Sequence, residues 1–296
     1  MMMTEKEFKR AFAVFILSHG RAKEISTVRM LKSSGYTGDW FVVIDNEDDQ
    51  ADMYYKKFGQ DHVIMFDKAA EARLTDTGDL DEDRRVGVFA RNRIETIAAE
   101  MGYKYHLQLD DDFNGIAYRY ISGGRLAVKR CRQLDKLFFY MTNFMDKTDI
   151  TWLSFALSCD YLGGIKSKRY ASGLIPKTMG SFLMRADDPI KFCMRMNDDI
   201  TTTVLHGTRG KLFFSVMYMQ VQTPATQHMR GGMTDIYRDN GTYRKSFYSV
   251  MCCPSCVKIA KQGITHFRIH HKISWNNARP KILNEKWKKV VDHGEV

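Results

Sequence analysis

Three consecutive carboxylates, Asp110-Asp111-Asp112, close the run Tyr105-His106-Leu107-Gln108-Leu109. Carboxylates are hard oxygen donors suited to Mg2+ or Mn2+, which bind through one or two of them and complete their shells with water and substrate phosphate. If a strand continues through the triplet, Asp110 and Asp112 face one way and Asp111 the other. Such crowded acids repel one another unless a cation lies among them; the plain alternative is a solvated acidic turn. Asn197-Asp198-Asp199 opens a helical segment over residues 200–207, where an acidic first turn suits the helix dipole, although Asp is also an ordinary cap. His270-His271-Lys272 sets two ligand-type side chains beside a cation, with His228 as competitor. Cys253-Pro254-Ser255-Cys256 with His266 and His270 comes near a zinc-finger spacing, but its Cys-to-His gap is short, and buried free thiols are the better reading.

The elements that must position these groups alternate. Phe12-Ala13-Val14-Phe15-Ile16-Leu17, Phe41-Val42-Val43-Ile44, Val63-Ile64-Met65-Phe66 and residues 105–109 read as strands buried on both faces. Between them come helical residues 22–31, with Ile25, Val28 and Leu31 on one face, and a polar helix near residues 49–58. Ile94, Ile97, Ala98 and Met101 then repeat at helical spacing. Residues 211–221 read as a further long strand. Strand and helix in alternation imply right-handed crossovers and a parallel sheet, so the fold class is α/β, a mostly parallel central sheet flanked by helices. Ligands bind beyond the carboxyl ends of such strands. Those ends carry Ser18-His19-Gly20-Arg21, Asp45-Asn46-Glu47-Asp48, Asp67-Lys68 and the acidic triplet. With no G-x-G-x-x-G and no P-loop, a bound phosphate is expected on a metal and basic side chains.

At 296 residues the chain can bury a full core, and five prolines with no Ser/Gly-rich tract leave no obvious linker. The net charge is +10 and the pI about 9.2, which favours a polyanionic partner. Arg119, Arg125, Lys129, Arg130 and Arg132, then Lys166, Lys168 and Arg169 beside Tyr170, form basic stretches that could track phosphates while a base is flipped and stacked; basic surface loops are the bland alternative. Six scattered cysteines form no disulfide framework. The apolar run at residues 11–17 is too short to cross a bilayer, and Glu5 and Glu7 spoil a signal peptide's basic region, so a cytoplasmic protein with no membrane partner is expected.

Ala90-Arg91-Asn92-Arg93, an amphipathic helix, and Gly102-Tyr103-Lys104-Tyr105 running on to Asp112 resemble the corresponding stretch of GT-A glycosyltransferases, across roughly residues 12–115. The resemblance implies that Asp110 and Asp112 form the D-x-D motif, holding Mn2+ or Mg2+ on the diphosphate of a UDP-sugar, with Asp111 also at the donor. It implies that Leu17, Ser18, His19 and Arg21 lie along the base and ribose, that Asp45 beside Asn46 recognises the nucleoside, and that Lys68 and Arg91 line the donor pocket. It further implies a catalytic acid at Asp198 or Asp199, the acceptor's base if the enzyme inverts, with His271 as third metal ligand and Lys272 on the phosphate. The C-terminal block, Gly231-Gly232-Met233-Thr234-Asp235-Ile236-Tyr237, Gly241-Thr242-Tyr243-Arg244-Lys245-Ser246, Pro254-Ser255-Cys256-Val257-Lys258 and residues 270–277, looks like the phage glycosyltransferases that decorate hydroxymethylated pyrimidines in DNA, including the TET-associated and the hydroxymethylcytosine arabinosyl enzymes. That resemblance implies hydroxymethylated DNA as acceptor, 5-hydroxymethylcytosine first, with arabinose or glucose as the sugar. The implied organisation is one large domain: a donor half at 1–115, an acceptor half at 116–250 and a segment at 251–296 closing over the donor. A surface glycan or protein acceptor would share every donor motif; a non-catalytic DNA-binding module would explain the charge but not the aligned strand-end acids.

Overall fold

The computed structural model describes residues 3–224, 236, 243–263 and 267–281. A helix the sequence reading did not expect, α1 (Glu5–Ala11), leads in, started by a reciprocal Thr4–Glu7 capping box. Strands β1 (Phe12–Leu17), β2 (Asp39–Asp45), β3 (Val63–Phe66) and β4 (Tyr105–Asp110) form a parallel group in the order β3-β2-β1-β4. The chain steps outward from β1 to β3 and returns on the other side of β1, so the strand order reverses between β1 and β4. There Leu17 stands in register with Asp110, the crevice where open α/β sheets bind ligands.

Alternation along β1 explains why its apolar run is continuous. Val14 and Ile16 belong to one core, Ala13 and Phe15 to the core on the opposite face of the sheet. Helices α2 (Ser26–Ser33), α3 (Ala51–Phe58), α4 (Lys68–Leu74) and α5 (Val88–Glu100) connect the parallel strands. Strand β4 differs from β1. Tyr105, Leu107 and Leu109 enter the first core, but the opposite face carries the fully buried His106 and Gln108, and Gln108 Nε2 donates to the Arg91 carbonyl on α5 at 3.1 Å.

Two expectations shift. The helix expected at residue 22 begins at Ser26, and the strand does not continue through the acidic triplet but stops at Asp110. One contact explains both: the Ser26 and Thr27 amides donate to the Asp111 carbonyl at 3.0 and 3.2 Å. That fixes the start of α2 and removes Asp111 from any sheet ladder.

Past the triplet the sheet becomes mixed. The hairpin β5 (Gly115–Ser122) and β6 (Arg125–Arg130) leads to α6 (Leu134–Thr148), β7 (Trp152–Ala156), α7 (Lys168–Ser172), β8 (Leu174–Ile175), β9 (Ser181–Arg185), α8 (Asp198–Thr208) and β10 (Phe213–Gln222). Strand β9 runs antiparallel to β4 and extends the sheet through β7, β10, β5 and β6, with β7 and β10 parallel. Last come α9 (Arg244–Cys252) and a separate hairpin, β11 (Val257–Gln262) with β12 (Arg268–Ile273). It docks on α8 through a small core holding Val204, Cys253, Cys256 and Val257. Gly207 lets the chain pass closely, because a Cβ there would lie 2.1 Å from the Ala278 carbonyl oxygen.

Candidate functional site

The end of β2 is built around Asp45, which is buried. His19 Nδ1 lies 2.8 Å and the buried Lys68 Nζ 3.2 Å from its Oδ2. Burial works against the Asp45 charge, yet the His19 hydrogen bond and the Lys68 ammonium hold the carboxyl below its ordinary range. The same bond raises His19 above its usual value against the cost of burial. Asn46 acts as a latch, its Oδ1 accepting from the Lys68 amide at 3.0 Å. Leu17 packs on the second core beside Gly87.

Beside this, Ser18 Oγ donates to Asp111 Oδ2 at 2.6 Å and Arg21 pairs with its Oδ1 at 2.9 Å. Asp111 is therefore tied into the loop after β1, while Asp110 turns the other way. Arg91 Nη2 is 2.9 Å from Asp110 Oδ1, and its Nε is 3.2 Å from Asp198 Oδ2. The guanidinium carbon lies 4.8 Å from the ring centre of Phe182 and 5.7 Å from that of Phe192, two rings that pack edge-on against each other. The second contact is ionic without directed hydrogen-bond geometry, since Arg91 Nε, Arg91 Nη1 and Asp198 Oδ2 are buried without hydrogen bonds among the described residues. Arg91 thus joins the D-x-D turn to the N-terminus of α8, bringing together candidates 88 residues apart in sequence (110 and 198).

Asp112 makes no side-chain hydrogen bond or ion pair among the described residues; burial first, then Asp110 and Asp111, push it up to about 6. Burial also raises Asp198 and Asp199, opposed by Arg91. Among the described residues no group of three or more His, Cys, Asp or Glu is arranged to hold a metal. The fit is to a Mg2+- or Mn2+-type ion that takes Asp110 and Asp112 from the protein and its other oxygens from substrate and water.

Asn197 precedes α8 in the left-handed region at φ 61°, a conformation Asn tolerates better than most residues. Its Nδ2 donates to Ser249 Oγ at 2.6 Å and lies 3.3 Å from His271 Nδ1. The fold therefore brings His271 to the head of α8. With Nδ1 accepting, the neutral ring carries its proton on Nε2 and offers a donor; a metal-ligand role for His271 needs the opposite tautomer and a turned Asn197 amide. Lys272 is exposed on the alternate face of β12 and makes no ion pair among the described residues. His228 and His266 lie outside the described residues, as do most of residues 231–242. Cys253 and Cys256 are buried free thiols.

The basic stretches converge elsewhere. Arg119, Arg125, Lys129 and Arg130 sit on the β5–β6 hairpin, and β6 adjoins the turn Gly164–Lys166, so Lys166 and Lys168 border the same surface. Three members are engaged internally: Arg119 Nε donates to Gln220 Oε1 at 2.5 Å, Arg130 Nη2 to Ser33 Oγ at 3.0 Å, and Arg169 pairs with the buried Asp160 at 3.3 Å.

Sequence reasoning missed three residues. Thr27 Oγ1 donates to the Asp110 carbonyl at 2.6 Å and accepts from the Phe113 amide at 2.9 Å, pinning both ends of the acidic turn. Lys245 on α9 lies close enough for its charge to act on Asp199, and Lys177 acts likewise on His271. A Ser/Thr at the start of α2 is a visible cue for the first; Lys245 lies in the block 241–246 that carries the C-terminal resemblance but had no role there, and no local pattern marks Lys177.

A family model described as TET-Associated Glycosyltransferase matches residues 12–232. No curated protein matches. Among solved structures, glucosyl-3-phosphoglycerate synthase from Mycobacterium tuberculosis, in complex with Mg2+ and uridine diphosphate, aligns at TM-score 0.50 and 9% identity over 92% of each chain. The mannosyltransferase PcManGT from Pyrobaculum calidifontis, in complex with GDP-Man and Mn2+, aligns at TM-score 0.47 and 9% identity, over 83% of this chain and 75% of that one. No helix among the described residues is long and apolar enough to cross a membrane.

Proposed function

The chain belongs to the TET-associated glycosyltransferases and has the GT-A fold; from that premise we propose that it moves a sugar from a UDP-sugar to hydroxymethylated pyrimidine in DNA, 5-hydroxymethylcytosine first. The observation that carries the reading is the Asp110–Arg91–Asp198 bridge at the strand-order reversal, because it sets a metal-type carboxylate beside a carboxylate able to act as base. The residues divide the work. His19, Lys68 and Asp45 form a nucleoside pocket at the end of β2. Asp110 and Asp112 hold the divalent ion, which when bound neutralises the charge developing on the leaving diphosphate. Asp198 or Asp199 takes the proton of the acceptor hydroxymethyl group as its oxygen bonds to the sugar's anomeric carbon and the bond to diphosphate breaks. Their raised proton affinity brings them nearer neutrality, where a general base works best. Arg91 keeps the two acidic groups in register through both half-events.

Support for DNA comes from the family and from the +10 charge. In this reading residues 1–115 take the donor, 116–250 the acceptor, and 251–296 close over the site. Incubation with hydroxymethylated duplex and a panel of UDP-sugars that includes UDP-arabinose and UDP-glucose, followed by nucleoside mass spectrometry, tests it. A mass increment of one pentose or hexose on the modified nucleoside is the expected result. Untouched DNA alongside a glycosylated oligosaccharide or protein would move the acceptor to the surface-glycan class.

A further inference from the structure

The C-terminal hairpin carries a charge arrangement that packing alone does not explain. In the register of β11 and β12, Lys258 stands directly opposite Lys272. Both are exposed, and Arg268, opposite Gln262 on the same face, is exposed too. Like charges facing each other across two strands are destabilising. Residues 243–281 contain eight Lys and Arg and no Asp or Glu, so no carboxylate of that segment offsets the pair. The hairpin also touches the catalytic pole. His271, whose side chain is on the face of β12 opposite Lys272, lies 3.3 Å from the Asn197 amide, next in sequence to Asp198, so one face of the hairpin packs on that pole and the lysine face is turned outward beside it.

We propose that the outward hairpin face bearing Lys258, Lys272 and Arg268 binds the phosphodiester backbone of the acceptor polynucleotide where it flanks the catalytic pole. The inference rests on the DNA-acceptor reading and adds to it a surface separate from the β5–β6 hairpin. Spacing selects the occupant. The lysine pair and Arg268 are four positions apart along the strands, about 13 Å. One diphosphate cannot reach both, whereas a duplex presents a charge about every 1.7 Å of its axis. The face is thus matched to an extended polyanion and mismatched to the donor. Exposed Phe267, with Lys261 Nζ 3.3 Å over its ring, stands at the same end of the hairpin.

Lys258→Glu places a carboxylate opposite Lys272, so the melting temperature should hold or rise while affinity for a hydroxymethylated duplex falls. The logarithmic salt dependence of binding should flatten by about one unit for Lys258→Glu and about two for Lys258→Glu with Arg268→Glu. Binding of UDP with Mn2+ to the same variants should not change, which also verifies their folding, and Lys258→Gln gives a milder form of the test. DNA that is bound and glycosylated with an unchanged salt slope would overturn the hairpin assignment and leave the acceptor reading standing. A raised donor KM with intact DNA binding would assign the lysines to diphosphate instead. If phosphatidylglycerol vesicles bind as tightly as duplex, and through the same residues, the face is a general polyanion surface and the inference fails. Hydroxymethylated DNA that the unmodified protein neither binds nor glycosylates would remove the acceptor reading itself.

Discussion

Two stretches of one sheet edge treat their acids in opposite ways. Where β1 and β2 end, Asp45 has His19 and Lys68, Asp111 has Arg21 with the Ser18 hydroxyl, and Asp48 accepts from the Gly20 and Gln50 amides and lies 3.8 Å from the shared His19. Where β4 meets α8, Asp110 and Asp198 share the single guanidinium of Arg91, and Asp112 has no side-chain partner among the described residues. The first stretch is thus compensated by basic side chains and N–H groups of the protein itself, although burial still raises Asp111 against Arg21. The second carries surplus negative charge, the state that a divalent ion and its diphosphate would neutralise. If, as proposed, the first stretch takes the donor and the second carries the chemistry, this division leaves binding energy to be used on the transition state.

The largest effect should come from the stretch with surplus charge. Asp112→Ala and Asp110→Asn remove a metal oxygen, and with several kcal/mol of charge stabilisation at stake kcat should fall by roughly a thousandfold or more. The melting temperature of Asp112→Ala should stay near that of the parent, because Asp112 holds no other described side chain, whereas Asp110→Asn also weakens the pair with the buried Arg91 and should lower it. Full transfer activity in EDTA would break the contrast at its root.

Next come Asp198→Asn and Asp199→Asn. Whichever residue takes the acceptor proton should lose about 10²–10⁴ in kcat with little change in either KM. Both lie in the same half-buried turn, so the pair also measures which of them faces the acceptor. If each variant keeps the parent kcat, neither is the base, and the bridge through Arg91 is structural.

The compensated stretch should respond differently. Asp45→Asn should raise the donor KM by about 10- to 100-fold, the size of a charge-assisted contact, while kcat and the acceptor KM move little. Because the substitution strands a buried Lys68, the double variant with Lys68→Met should restore thermal stability. A donor KM that recovers with stability would make Asp45 a structural acid, and the two stretches would differ in burial alone.

How far the sequence reached follows the same division. Strands β1 to β4 were legible because burial on both faces demands unbroken apolar runs, and β3 falls on its expected residues. Asp45, His19 and Lys68 were legible as strand-end polar groups because a parallel sheet delivers all its carboxyl ends to one edge. In the acidic turn Asp110 and Asp111 do turn opposite ways, but not by strand alternation: the ladder stops at Asp110 and the Asp111 carbonyl goes to α2, a contact no local pattern announces. Most hidden were Lys245, Lys177 and the bridging role of Arg91 toward Asp198. Each depends on elements distant in the chain packing together, which neither periodicity nor a short motif encodes.

The effect farthest from the chemistry, one on stability alone, lies one helical turn beyond Arg91. Glu95 is buried, accepts from the Ile190 amide at 2.9 Å through Oε1, and leaves Oε2 without a hydrogen bond among the described residues. Burial pushes its carboxyl up to about 8, against that hydrogen bond and the nearby Lys191. Asp45, with its paired cations, is shifted the other way. The signs predict opposite titrations of stability. The Asp45 contribution is present above the ordinary carboxylate range and lost as pH falls through its lowered value. That of neutral Glu95 is fully present below the unfolded value and lost as pH rises toward about 8. The Glu95 slope cannot exceed about 1.4 kcal/mol per pH unit. Urea midpoints measured between pH 5 and 8 should therefore decline in the parent and flatten in Glu95→Gln, which keeps the acceptor for the Ile190 amide. Parallel curves for the two proteins would mean that Glu95 is ionised in the fold, and that an unpaired buried acid on this side of the sheet is tolerated without protonation or a cation.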